Sequence, residues 1–182
     1  SLASACKASI FIYYFFPSIY SANQINAASG GNSIYILYED LNEDRQLAAN
    51  SILRTILNEN FTLNAVIGGR SLKSRNYARV LDLLGGKGFL DVDSFSEGNT
   101  AQSNLLNQNR VVGTGDHFKY FFDLDALVLE GFIQTQYSSK HLEFFGSGKI
   151  SRTSYQRTGF YQNGNFPDNS WGKSEVLEFL DY

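Results

Sequence analysis

Four places in the chain carry side chains whose types and spacing could do chemistry. In Gly113-Thr-Gly-Asp-His117 two glycines precede an acid and an imidazole, as in loops whose backbone N–H groups cradle a phosphate. Neither a third glycine nor a Lys-Ser/Thr pair follows, and the next residues are aromatic, so a solvated loop is the expectation. Asp116 and His117 with Asp123 and Asp125 could form an acid–base or metal group, but neighbours on an extended strand point to opposite faces. The run Glu39, Asp40, Asn42, Glu43, Asp44 has oxygen ligands suited to calcium. It lacks the sixth-position glycine and twelfth-position glutamate of an EF-hand loop, so its expected role is to place negative charge on the first turn of a helix.

Cys6 is the only cysteine, and it sits in an apolar N-terminal stretch. One cysteine makes neither an intrachain disulfide nor a thiolate metal cluster, and two histidines are too few for most zinc sites. No Gly-x-Ser-x-Gly elbow is present. No catalytic residue, metal site or cofactor is therefore predicted, and the expectation is a protein that is not an enzyme. Asn60-Phe-Thr62 is an acceptor sequon for glycosylation.

The 182 residues carry a net charge of −3, with Lys and Arg dispersed, which gives no electrostatic footprint for nucleic acid. Lys7 precedes a run of nine largely apolar residues, Ala8 to Phe16, and small residues Ser21-Ala22 follow. That order is the layout of a secretory signal peptide and predicts an extracytoplasmic protein of the periplasm or cell envelope, or a secreted one. Retention of this segment as an N-terminal arm is the alternative, and Ala3-Ser-Ala-Cys6 faintly resembles a lipidation site.

The elements that would position these residues are expected to form an α+β fold. Residues 1–32 read as the signal-like segment and a linker, and residues 33–182 as one domain. Ser33 to Tyr38 predicts a strand, and Ala48, Ile52 and Ile56 with Ala49, Leu53 and Leu57 predict an amphipathic helix from about Glu43 to Asn58. Phe61 to Ile67 alternates as a strand before a Gly68-Gly69 turn, and a second helix should run from Ser71 to Leu84. A helix over Thr100 to Gln108 comes next. Then Asp125 to Ser138, His141 to Ser151 and Arg152 to Gln162 predict an antiparallel β-meander, closed by a short helix from Gly172 to Tyr182. The expected architecture is a mixed sheet flanked by two or three helices.

Aromatic residues crowd the second half. Tyr137, Phe144, Phe145, Tyr155, Phe160 and Tyr161, with polar residues between them, suit a surface that binds a protein partner or a second copy. The order of elements, the phrase Leu124-Asp-Ala-Leu-Val-Leu-Glu-Gly131 and the segment from Arg70 to Leu84 resemble the periplasmic domain of the curli secretion channel family. In that family such a phrase opens the strand leading toward a membrane-inserting hairpin. The resemblance implies an envelope component that oligomerises. Because Lys140-His-Leu-Glu143 and Ser151 to Arg157 are polar for a lipid face, it implies a ring-forming accessory piece more readily than a pore, with membrane association through the N-terminal segment or a larger assembly. A secreted recognition module and a viral or phage structural subunit are the other readings.

Overall fold

The computed structural model describes residues 16–182. Lys7, Cys6 and most of the signal-like run lie outside the described residues. Residues 16–28 are helical, and this is followed by eight strands: β1 (Leu37–Asn58), β2 (Phe61–Asp82), β3 (Phe89–Leu90), β4 (Val111–Val112), β5 (His117–Ser138), β6 (Glu143–Gly159), β7 (Gly172–Lys173) and β8 (Leu177–Asp181). The hydrogen-bonded order is β1-β2-β5-β6-β7, with β8 on β6 and a separate antiparallel pair β3-β4.

This corrects the expected α+β fold. Among the described residues the protein is mostly a large antiparallel sheet with one α-helix, and the helices expected over Glu43 to Asn58 and Ser71 to Leu84 are β1 and the second half of β2. The physical reason lies in the spacing. A step of four returns to one helix face, but it is also two periods of a strand. The stripe Ala48, Ile52, Ile56 and its neighbour Ala49, Leu53, Leu57 are therefore one broad helical face or the two faces of a strand, and long-range pairing with β2 selects the strand. Thr100 to Gln108 holds only short 3-10 turns, at Gly98–Ala101 and Leu105–Asn107, and the expected C-terminal helix is β7 and β8. The two strands predicted to either side of Ser151 are one, β6.

Contacts divide the chain into two compact units. Of the described residues, the first comprises 16–42, 76–122 and 159–172, and the second 43–75, 123–158 and 173–182. In the first, Ala78, Val80, Val112 and Phe118 form the buried core, with Ile36, Leu83, Phe89 and Tyr120 packed on it. Asn23 of the helix is fully buried and completely used. Its Nδ2 donates to the carbonyls of Tyr35 (2.8 Å) and Leu83 (2.9 Å), and its Oδ1 accepts from the N–H groups of Ile34 (2.9 Å) and Tyr35 (3.1 Å). Residues 22–32, expected as a linker, thus carry a helix end fastened by a buried amide. Asp91, almost wholly buried, accepts from Arg110 Nη2 (2.6 Å) and from the Lys119 N–H (2.9 Å).

The second unit consists of the distal parts of β1, β2, β5 and β6, with β8 antiparallel on β6 over Ser151 to Tyr155. Its only buried residue is Ser74. No hydrophobic side chain in this unit is buried, although Leu47, Ile52, Ile56, Ile67 and Phe145 are each 70% exposed or more.

Candidate functional site

The two faces of the second unit differ in chemistry. Their membership follows from contacts between strands. Leu129 fills the space over Gly69, Ile150 lies over Gly131, Tyr137 stacks on Phe144 at 5.4 Å, and Lys73 and Asp125 approach to 4.0 Å, so these residues share one face. Ser51 and Leu53 join them in lining a shallow concavity of about 630 Å³ with Ala65, Ile67, Gly131 and Ile133. The other face carries Glu130 over Gly68, Lys149 at 3.1 Å from Glu130, and Gln46, Asn50 and Arg70 around them.

Side chains alternate along a strand, so the first face reads Leu47, Ala49, Ser51, Leu53, Thr55, Leu57 on β1 and Leu127, Leu129, Gly131, Ile133, Thr135, Tyr137 on β5. On β2 it reads Phe61, Leu63, Ala65, Ile67, Gly69, Ser71. Across three adjacent strands this face is uncharged, and on β6 it holds Phe144, Gly146, Gly148 and Ile150 before Arg152, which pairs with Glu178 at 2.6 Å. Ten residue steps from Leu47 to Leu57 span about 33 Å, or about 25 Å for a strand inclined near 40°. Next along the strands comes a belt of charge on the same face: Glu43 and Arg45, Lys73 and Arg75, Asp123 and Asp125. Here Arg75 binds Asp123 through two hydrogen bonds of 2.9 Å. At the hairpin ends the same face holds the rings of Phe61, Tyr137 and Phe144.

The opposite face alternates Gln46, Asn50 and Arg54 with Ala48, Ile52 and Ile56 on β1, and Glu130, Gln134 and Gln136 with Val128 and Phe132 on β5. Gly68 and Gly69, expected as a turn, stand inside β2. A Cβ on either would lie 3.3 Å from Glu130 or Leu129, so two adjacent glycines let one side chain on each face lie close over the strand.

The predicted partner-binding residues are not brought to one surface. Tyr137 and Phe144 stack on the apolar face, and Phe145 and Tyr155 lie on the mixed face, where Tyr155 meets Phe179. Phe160 and Tyr161 belong to the first unit and pack on Phe121; the Tyr161 hydroxyl donates to the His117 carbonyl (3.1 Å) and its ring lies 4.8 Å beneath the Arg110 guanidinium. The candidate chemistry disperses as well. Asp116 accepts from the Gly113 N–H at 2.7 Å and closes its own turn, His117 packs between Tyr77 and Phe121, and Asp123 and Asp125 are held by Arg75 and Lys73. Glu39 pairs with Arg79, and Asp40 accepts from Tyr120. Among the described residues no group of three or more His, Cys, Asp or Glu is placed to hold a metal ion.

No family model, curated protein or solved structure matches the chain. None of the described helices is long and apolar enough to cross a membrane.

Proposed function

We propose that β1, β2, β5 and β6 form the membrane-spanning wall of an oligomeric β-barrel, to which each copy contributes two hairpins. The observation that carries this reading is a sheet whose second-unit part has no buried hydrophobic residue, one face uncharged on β1, β2 and β5 for about the height of a bilayer core and the other mixed polar. In water such a sheet lacks the burial that offsets the entropy of ordering it. In lipid the apolar face is solvated, and only closure of the sheet satisfies the edge N–H and C=O groups.

Four strands are too few to close a barrel, since known single-chain barrels start at about eight, so several copies are needed. The sheet order leaves β1 at one edge and the hairpin end of β6 at the other, and β1 of a second copy runs antiparallel to β6. Charged residues beyond Leu47 and rings at the hairpin ends suit the two boundaries of a bilayer. The resemblance to the curli secretion channel family points the same way, as does the expected extracytoplasmic location, and the partner is a second copy of the chain. Of the polar stretches that argued against a lipid face, Lys140 to Leu142 is the β5–β6 turn, and Ser151 to Tyr155 is paired with β8, whose Glu178 neutralises Arg152 on the apolar face.

The test is a scan of single cysteines over residues 127–134 in a Cys6→Ser background, each labelled with a polarity-sensitive fluorophore and mixed with phospholipid vesicles. Emission should alternate between apolar and aqueous values with a period of two. Uniformly aqueous emission at all eight positions would exclude insertion.

A further inference from the structure

The mixed face would line the lumen of such a barrel, and its charges are unequally compensated. Glu130 is answered by Lys149 at 3.1 Å and borders the same hollow as Arg70. Asp181 of β8 is the Cα partner of Ser151, near the same level as Glu130. Arg54 is different. Its side chain makes no hydrogen bond or ion pair among the described residues, and counted from the hairpin ends its counterparts on this face are Asn64, Gln134 and Ser147. On this face Glu130 of β5 and Glu143 of β6 are each offset from that level by about four residues, or about 13 Å along the strand, beyond a Debye length of about 8 Å at physiological salt. Glu143 is also engaged by Gln136 at 2.5 Å.

From this we infer that the channel conducts anions in preference to cations, with Arg54 as the selectivity element; the inference rests on the barrel reading. One arginine per copy becomes a ring of guanidinium groups at one depth when copies are related by rotation. A ring of like charge with no acid at its level raises the local concentration of anions and repels cations. Small inorganic anions and phosphorylated or carboxylated solutes are the class such a ring favours. The guanidinium adds paired donors that fit carboxylate and phosphate oxygens.

The experiment is planar-bilayer recording of the full chain across a KCl gradient. Discrete conductance steps with a reversal potential of the sign set by chloride are expected, and Arg54→Glu should remove or invert that preference while Arg54→Lys keeps its sign. Steps that favour potassium, or an Arg54→Glu channel with the wild-type reversal potential, would overturn the selectivity and leave the barrel standing. Absence of any steps from vesicle-bound protein would overturn both.

Discussion

The ammonium of Lys149 lies 3.1 Å from a carboxylate oxygen of Glu130, joining β6 to β5 on the face where Gly68 makes room for the acid. Both side chains are about half exposed, so water screens the pair and its contribution is small. Lys149→Gln should lower stability in aqueous buffer by less than about 1 kcal/mol in urea titration. A loss of several kcal/mol would mean that this face is drier in the free protein than its exposure indicates.

Ile133 stands near mid-height of the apolar face and Gln134 beside it on the other. Ile133→Arg should weaken partition into vesicles by about 2–4 kcal/mol per copy in a flotation assay, while Gln134→Arg leaves partition nearly unchanged. Neither should shift the aqueous thermal transition, because neither residue is in the core.

Asp91 and Arg110 hold the other unit together through a nearly buried carboxylate. Asp91→Ala leaves the Arg110 guanidinium and the Lys119 N–H without their acceptor and should cost about 3 kcal/mol in chemical denaturation. A change below about 1 kcal/mol would show that solvent replaces the carboxylate at no penalty.

Burial, and then the hydrogen bond to Asp40 and its charge, push the Tyr120 phenol up to about 12. Below about pH 10 both folded and unfolded chains keep this proton, and the stability tied to it is fully present. Between about pH 10 and 12 the unfolded chain releases it first, so stability falls as pH rises. Burial also raises Tyr161, which adds to the fall. Tyr120→Phe should flatten the decline in denaturation midpoints between about pH 9 and 12; an unchanged slope would assign it to other groups.

β8 occupies the Ser151 to Tyr155 part of the β6 edge, beside the hairpin end that β1 of a second copy would use, with Thr153 and Phe179 as Cα partners. Paired antiparallel positions lie within disulfide reach. In a Cys6→Ser background, Thr153→Cys with Phe179→Cys should stay single when oxidised and assemble in vesicles when reduced, read by cross-linking and native mass. Equal assembly in both states would show that β8 remains in place as a strand of the wall.

The sequence made part of this legible. The strands around Phe61 to Ile67 and Asp125 to Ser138 are visible in their alternation, and the concentration of rings near Tyr137 and Phe144 is visible in composition. The length of β1 is not, because spacing by four satisfies a helix and a strand equally and only pairing with β2 decides between them. Once Glu43 to Asn58 reads as a helix, Gly68-Gly69 reads as a turn and Arg54 as a solvated charge. The faces that give Arg54 and Ile133 their meaning exist only after four strands stand in register. Asn23 shows the same limit, since an amide in a polar stretch looks solvated until Ile34, Tyr35 and Leu83 close around it.

Because the fully buried hydrophobic side chains among the described residues all belong to the unit around Val80 and Phe118, calorimetry in buffer reads chiefly that unit. The apolar side chains of the sheet unit are covered only in part when it is folded, so the heat-capacity increment should fall below the usual value of about 12–15 cal/mol/K per residue. On the proposed insertion the apolar face would leave water, and the large negative heat-capacity change that accompanies that removal would then belong to insertion.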